Sequence, residues 1–194
     1  MDNTKTGDLI RRLRKEKNMT QKQLAEKLHV SNKAVSKWER GFGSPDVSLL
    51  TEISRLLDVD VQTLLTGELK QNAFSNGNIK KTKFYVCPIC GNLILSAADA
   101  AITCCGRTLK PQVLNKATDI EKLSVQKIET DFFVSSDHEM TRAHYIAFVA
   151  LLTGDTILLK KQYPEWNLQV RIPFFAHGKL IWYCTQHGLF YQEV

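Results

Sequence analysis

The sequence contains no long apolar segment. Its longest stretch without a charged residue, residues 84–98, is interrupted by Cys, Pro, Gly and Asn, whereas a membrane-spanning helix needs about 20 mainly apolar residues. Residues 1–13 carry charges of both signs and no apolar block of the kind found in a secretory signal. We therefore expect no membrane span and a cytoplasmic location.

Cysteine is scarce, and internal repeats are absent. A reducing compartment makes the five cysteines better candidates for metal ligands or reactive thiols than for structural disulfides. The content of 43% hydrophobic and 24% charged residues is typical of globular proteins. Because 194 residues exceed one typical domain of about 100 to 150, two small domains are favoured over one large core.

Acidic residues are few near the N-terminus. Residues 5–40 contain eleven Lys and Arg but only four Asp and Glu, in a chain of net charge +6. This cluster favours a polyanionic partner, although a solvated helical face gives the same count.

Residues 1–67 have the pattern of short helices. Thr20 and Gln23 form a capping box that opens a second helix. Ser31 is a natural N-cap for a third helix, which is expected to stop at Gly41, and residues 44–45 (Ser-Pro) are expected to open a fourth.

The remainder of the chain has a different pattern. Residues 68–83 lose periodicity and read as a linker. Several short strands separated by polar turns then predict an all-β sandwich or barrel, with strands expected at residues 84–86, 93–95, 132–134, 145–152, 156–159, 168–172 and 179–183.

The second and third predicted helices have the sequence form of a helix-turn-helix, whose recognition helix lies in a major groove. Asn can read adenine, and Lys can reach guanine or a phosphate. The candidate DNA contacts, opposite the apolar face of the third helix, are Asn32, Lys33, Ser36 and Lys37. Ser36 could instead be only solvated.

Residues 6–66 resemble the XRE family of phage-repressor-type DNA-binding domains. The resemblance lies in MTQ before the second helix, VS at the turn, VSKWERG at the end of the third helix, and the later SPD and LLDV segments. It implies five helices in a domain spanning residues 1–67, an ion pair between Arg14 and Glu39, and a homodimer bound to a double-stranded DNA operator. It also places Gln21 on a phosphate and Asn32, Lys33 and Lys37 at base edges.

Four cysteines lie in the segments CPICG and CCG, namely Cys87, Cys90, Cys104 and Cys105. The C-x-x-C spacing lets two thiolates face one ion, and four thiolates suit zinc or a single iron. Neighbouring residues of an extended chain point in opposite directions, so Cys104 and Cys105 can share an ion only across a local turn. The alternatives are buried cysteine pairs or a redox disulfide.

A second set of metal-ligand residues lies further along the chain. His138 and His144 are six residues apart, and Cys184 and His187 are three apart. Three imidazoles and a thiolate suit iron, zinc or copper. Taken singly, Cys184 could be a core residue and the histidines could lie at surface turns.

Residues 84–194 resemble a desulfoferrodoxin. Residues 84–115 are similar to its desulforedoxin-like domain, and residues 116–194 to its superoxide reductase domain, notably at HEMTRAHYI and YCTQHGLF. The resemblance implies an immunoglobulin-like β-sandwich and a mononuclear iron, or zinc, held by the four paired cysteines. It implies a second mononuclear iron with equatorial His138, His144 and His187, axial Cys184 and an open position for superoxide.

One ligand of that family is missing. Its first histidine lies in a Glu-Lys-His stretch, and the nearest match is residues 121–124 (Glu-Lys-Leu-Ser). Leu123 or Ser124 thus stands where the imidazole is expected, while Lys122 matches the lysine that helps to draw in superoxide. The spare imidazole, His177, lies in a predicted turn before the strand that leads to Cys184.

Three functions are compatible with these features. The chain is predicted to be a transcription regulator that senses iron, superoxide, oxygen or redox state through its metal-binding region. Alternatively, it is a superoxide reductase, with Lys122 in the catalytic role, that also carries a DNA-binding domain. In the third alternative, the four-cysteine site is purely structural and the second site is a vestige.

Overall fold

A computed structural model describes residues 2–69, 79–175 and 177–194. The chain divides into two compact units, Met1–Gln71 and Asn72–Val194. Of the expected linker, residues 70–78 lie outside the described residues. The expected boundary between residues 84–115 and 116–194 falls inside the second unit and stays a prediction.

The described part of the first unit contains five α-helices. Their bounds are α1 (Asn3–Glu16), α2 (Gln21–Lys27), α3 (Asn32–Glu39), α4 (Leu50–Leu57) and α5 (Val61–Thr66). The capping box of Thr20 with Gln23 is present, and the Ser31 hydroxyl accepts a hydrogen bond from the Ala34 amide. The prediction of five helices is therefore confirmed.

The expected start of the fourth helix at Ser44 is wrong. The Asp46 carboxylate caps a single 3-10 turn, Val47–Leu49, by accepting a hydrogen bond from the Ser48 amide at 2.9 Å. Helix α4 then begins at Leu50. Asp46 competes with Ser44 for the same role, because its carboxylate reaches the amide two residues ahead.

Helices α1 and α3 pack closely around a small apolar core that includes Ile10, Leu24 and Val35. Gly7 permits this approach, because a Cβ atom at residue 7 would lie 1.9 Å from the Trp38 carbonyl oxygen. The ion pair between Arg14 of α1 and Glu39 of α3 is present and buried. These contacts join the first helix to the helix-turn-helix formed by α2 and α3.

The second unit is built from twelve described strands. They are β1 (Lys83–Val86), β2 (Leu93–Ser96), β3 (Ile102–Cys104), β4 (Arg107–Leu109), β5 (Leu114–Lys116), β6 (Ser124–Ile128), β7 (Asp131–Ser136), β8 (Ile146–Leu152), β9 (Ile157–Lys161), β10 (Leu168–Pro173), β11 (Lys179–Cys184) and β12 (Gly188–Glu193). Strands β1 and β2 form one hairpin, and β3 and β4 form another.

The remaining described strands form two open sheets, one in the order β10-β7-β6 and one in the order β5-β12-β11-β8-β9. Alternate residues of β10, namely Leu168, Val170 and Ile172, are buried while their neighbours are exposed, as expected when one sheet face lies on a core. That core also includes Val134 of β7 and Trp182 of β11. The sheets therefore form a sandwich rather than a barrel.

Five strands were not predicted, namely β3, β4, β5, β6 and β12. Strands β3 to β5 have three residues each, which is too short for a recognisable alternation of apolar and polar residues. Every residue of β5 is also exposed. Strand β5 forms by parallel pairing with β12, which is a contact between distant parts of the chain. No described helix is long and apolar enough to cross a membrane.

Candidate metal centres and nucleic-acid interface

The four paired cysteines converge on one point. The Sγ atoms of Cys87, Cys90, Cys104 and Cys105 all lie within 4.8 Å of one another. Two backbone hydrogen bonds hold Cys87 beside the other three cysteines. Its amide donates to the Asn92 carbonyl and its carbonyl accepts from the Gly91 amide, both at 2.9 Å. These two bonds close the C-x-x-C turn after β1.

A tight turn lets the adjacent cysteines face the same point. Strand β3 ends at Cys104 and β4 begins at Arg107, and these two residues pair across the hairpin. The intervening Cys105 and Gly106 have φ angles of 49° and 72°, as the two central residues of a type I′ hairpin turn require. The local turn that the two adjacent cysteines need is thus present, and Cys105 takes a backbone conformation that is unusual for a residue other than glycine.

The four thiols fit a cation. Amide hydrogen bonds from Cys90 and Ile89 lower the pKa of Cys87 from 9.0 to about 6. Hydrogen bonding with Cys90 and Cys87 raises the pKa of Cys105 to about 12, because a second thiolate so close to the first is disfavoured. A bound metal ion supplies the positive charge that allows all four groups to be thiolates.

Three imidazoles and one thiol form a second cluster. One ligand atom from each of His138, His144, Cys184 and His187 lies within 4.8 Å of the others. His138 follows β7, His144 precedes β8, and Cys184 ends β11. The strand ends of the two sheets therefore bring together residues that are up to 49 positions apart in the sequence.

Glu139, which sequence reasoning missed, orients two of the imidazoles. Its carbonyl oxygen lies 2.5 Å from Nδ1 of His138, and its carboxylate lies 2.9 Å from Nδ1 of His144. Within the described part of the chain, the Nε2 atoms of both rings are buried and have no hydrogen-bond partner. Each ring thus donates through Nδ1 and presents its Nε2 lone pair to the cluster, the arrangement found around metal-ligating histidines.

The remaining groups are also suited to binding a metal. Cys184 is 1% exposed, and its sulfur accepts hydrogen bonds from the amides of Gln186 and His187, both at 3.4 Å. Burial lowers the pKa of His138, which favours the neutral imidazole that coordinates metal ions.

Replacing Glu139 with alanine should weaken metal binding at the second cluster by about 10- to 100-fold, the usual effect of losing a hydrogen bond behind a ligand. Glu139→Gln should retain part of the affinity, because its amide oxygen can still accept from His144. Competition with a chromophoric chelator measures the affinity. The control is Glu165→Ala, since the Glu165 carboxylate pairs with Arg142 at the surface. Equal affinities for all the variants would show that the Glu139 carboxylate does not position the His144 ring.

Leu123, one of the two residues that stand where the fourth imidazole is expected, is packed in the core of the sandwich. Leu123 is 4% exposed, and the Gln192 side-chain amide hydrogen-bonds to both its backbone amide and its carbonyl, at 2.9 and 3.1 Å. Lys122 pairs with Asp119 at 2.7 Å. His177 is exposed and does not belong to the cluster among the described residues.

The predicted DNA-contacting residues lie at the start of α3 and beside it. Asn32, Lys33 and Lys37 are exposed, and Ser36 is half-buried. The Gln21 side-chain amide donates to the Glu39 carboxylate at 2.8 Å, so the Arg14–Glu39 pair holds Gln21 at the start of α2. Burial alone would raise the pKa of Glu39, but hydrogen bonds from Arg14 and Gln21 outweigh it and lower the pKa.

Comparison with known families identifies the first unit. The helix-turn-helix family model matches residues 10–64. Residues 10–64 form a helix-turn-helix domain. Helices α2 and α3 are thus its helix-turn-helix pair, and α3 is in the position of the recognition helix.

Two curated relatives share this helix-turn-helix domain. The HTH-type transcriptional activator BcrR of Enterococcus faecalis is 41% identical over 83 residues, which cover 41% of this chain and 41% of that protein. The uncharacterized HTH-type transcriptional regulator YqaE of Bacillus subtilis is 36% identical over 67 residues, which cover 34% of this chain and 58% of that protein. The chain thus spans about half the length of these relatives.

The region that follows the helix-turn-helix domain has a fold seen in a solved structure. The superoxide reductase from Treponema pallidum superposes with a TM-score of 0.50 and 22% identity, covering 57% of this chain and 97% of that one. The β-rich C-terminal region therefore has a superoxide-reductase-like fold.

Proposed function

We propose that this chain is a metal-dependent transcription regulator. Its helix-turn-helix domain binds a double-stranded DNA operator as a homodimer, and its second unit holds iron and responds to superoxide, oxygen, redox state or iron supply. The observation that carries the proposal is the presence of two clusters of metal-ligand atoms in the same chain as a helix-turn-helix domain.

On the DNA side, the proposal rests on exposed polar groups along α3. Asn32, Lys33 and Lys37 are free to reach base edges, since none of their side chains is needed for the core. Ser36 is a further candidate contact on the same helix. Gln21, held by Glu39, is assigned to a phosphate. Such phosphate contacts set the position of the recognition helix without reading sequence.

On the metal side, Cys87, Cys90, Cys104 and Cys105 are assigned to one iron ion, with zinc as the alternative. His138, His144, Cys184 and His187 are assigned to a second mononuclear iron. Iron in such a site supplies one-electron redox chemistry. The chain's own contribution is to hold two imidazoles by Glu139 and to direct two amides at the Cys184 sulfur.

The proposed sensing mechanism follows from the chemistry of the metal-binding residues. Loss of the ion leaves two buried Nε2 atoms without a partner, which is unfavourable for the folded state. It also leaves several free thiols, which are open to oxidation. Either event changes the structure around a metal site, and such a local change can shift a protein between two conformations. We propose that operator affinity differs between these two conformations.

Operator affinity in defined metal states tests the proposal. An operator is first selected from random duplexes with iron-loaded protein purified without oxygen. Its affinity is then measured for the iron-loaded, air-oxidised and chelator-treated forms at one salt concentration. We expect a change of at least tenfold between the iron-loaded form and at least one of the other two forms.

Variants separate the two metal sites. His144→Ala should remove one iron and the oxidation response if the second cluster is the sensor, while His177→Ala serves as the control outside the cluster. If operator affinity is the same in every metal state, the metal sites are structural and the regulatory part of the proposal is wrong.

The second candidate is a superoxide reductase fused to the DNA-binding domain. It is favoured by a cavity that His138, Cys184 and His187 border and by the superoxide-reductase-like fold. Lys122 also lines this cavity, where its ammonium group would attract superoxide. Its ion pair with Asp119 offsets part of that positive charge. Oxidation of the reduced protein by superoxide near the diffusion limit of about 10⁸ to 10⁹ per molar per second would favour this candidate, and a Lys122→Ala variant should then react more slowly.

A further inference from the structure

We infer that the His/Cys cluster has an open side opposite His144, and that a small organic anion binds there through oxygen atoms as a ligand of the metal. This inference depends on the proposed function in one respect, because the cluster must hold a metal ion. It goes further by assigning the site to a chemical signal other than superoxide.

The arrangement of the three rings defines the open side. The centroid of the His144 ring lies 4.6 Å from that of His138 and 4.6 Å from that of His187, whereas His138 and His187 are 5.8 Å apart. His144 is therefore the middle of three corners of a roughly square arrangement. No imidazole of the described residues occupies the corner that faces it.

A large cavity lies on that side of the cluster. It has a volume of about 930 Å³, and its walls include His138, Cys184 and His187 but not His144. Its size is within the range of small-molecule sites, about 300 to 1,000 Å³. The corner facing His144 is thus the corner that a molecule from solution can reach.

No side chain of the described residues fills this corner. The Leu123 backbone is held by Gln192. The Glu121 carboxylate, on the cavity wall, accepts hydrogen bonds from the Thr118 amide and hydroxyl at 2.8 and 2.7 Å. Asp137 lines the cavity, but its oxygens are outside the group of ligand atoms formed by the described residues.

The chemistry of the site favours an anion with oxygen donors. Three neutral imidazoles and one thiolate leave a divalent ion with a net positive charge, and this charge attracts an anion. The cavity wall offers the hydroxyls of Ser135 and Ser136 and the amides of Asn167 and Gln169, which can hydrogen-bond to carboxylate oxygens. A ligand with two oxygen donors in chelating positions, at least one of them a carboxylate oxygen, matches these features, as in a dicarboxylate or a 2-oxo acid.

Titration with oxalate and acetate tests the inference. Full-length iron-loaded protein is oxidised, and its thiolate-to-iron absorption bands are followed, the bands of the second site being those that His144→Ala removes. We expect oxalate to shift these bands and to bind at least tenfold more tightly than acetate, because the second oxygen binds intramolecularly once the first is attached.

Two matched variants show where the anion binds. Ser124 is exposed and lines the cavity, while Gln126, two residues along β6 and so on the same face, is exposed and does not line it. Ser124→His should place an imidazole at the cavity and weaken oxalate binding at least tenfold with the iron content unchanged. Gln126→His should bind oxalate as the unmodified protein does.

The outcomes distinguish this inference from the proposed function. Two irons per chain with no response to oxalate, or an equal response in both variants, would overturn the inference and leave the metal-dependent regulator intact. Uptake of only one iron, unaffected by His144→Ala, would overturn the second metal site and the inference together.

Discussion

A Cys87→Ser variant is expected to lose the order of residues 87–109, the segment that carries the four cysteines. Cys87 is 1% exposed and, among the described residues, shares a small core with two other buried residues, Tyr85 and Leu109. Phe84 at the start of β1 packs in a different core, beside Phe148. The strands of the two hairpins have three or four residues each, and hairpins of this size are marginally stable on their own. Metal binding must therefore supply most of the stability, and structural zinc sites contribute about 10 to 16 kcal/mol of apparent binding free energy.

Limited proteolysis measures this effect. Trypsin should cut after Arg107 about 100-fold faster in Cys87→Ser than in the metal-loaded protein, because cleavage follows the population of the open form. Chelation should have the same effect. Cys184→Ala is the control, since that sulfur belongs to the other cluster. Unchanged cleavage after removal of the metal would show that the hairpins are stable without it.

Replacing Arg14 with methionine is expected to destabilise the helix-turn-helix domain by about 3 to 5 kcal/mol, the cost of breaking a buried ion pair by removing one partner. The Arg14 and Glu39 side chains are 9% and 1% exposed. Arg14 donates to the Glu39 carboxylate at 2.5 and 2.9 Å and to the Met19 carbonyl at 2.5 Å. The variant leaves the Glu39 carboxylate buried, with only the Gln21 amide as a side-chain donor among the described residues.

Urea unfolding followed by helical circular dichroism measures the loss, because all the described α-helices lie in residues 3–66. Lys22→Met is the matched control: its pair with Glu26 spans 3.9 Å, its side chain is 79% exposed, and such pairs contribute about 0.3 to 0.5 kcal/mol. The double variant Arg14→Met with Glu39→Leu should recover most of the lost stability. If Arg14→Met alone costs no more than Lys22→Met, the pair does not stabilise the domain.

The same pair contributes to stability in a pH-dependent way. Hydrogen bonds outweigh burial and lower the pKa of Glu39 below its ordinary value of 4.5. A carboxyl group whose pKa is lower in the folded state contributes stability that is fully present above the unfolded pKa and is lost as pH falls through the folded one. The Arg14 contribution should therefore be undiminished at neutral pH, begin to decline below the unfolded pKa of about 4.3, and be lost as pH falls through the lower pKa of Glu39 in the folded state.

Local features were the most predictable from the sequence. Thr20, Gln23 and Ser31 act within three or four residues along the chain, so their capping roles depend little on the rest of the fold. The C-x-x-C spacing and the requirement for a turn between Cys104 and Cys105 are equally local. The predicted start of α4 was wrong. Two candidate N-cap residues, Ser44 and Asp46, lie close together, and the sequence does not indicate which of their side chains accepts a hydrogen bond from a backbone amide.

Features that depend on distant contacts were not predictable. The exposed strand β5 forms only because it pairs with β12. Glu139 was missed for another reason: its partners are only one and five residues away, but a carboxylate that orients imidazoles is not part of a metal-ligand pattern.

By itself, the sequence determined the residue types able to bind DNA and metal, the helix caps and the change from helical to β-rich pattern, because these depend on spacing over a few residues. Only the tertiary structure decided that His138, His144, Cys184 and His187 meet at the strand ends of two sheets. It also decided that Gln192 holds Leu123 in place and that the open side of the cluster faces a cavity. The physical reason is that sheet pairing and core packing set these distances, and both join residues far apart in the chain.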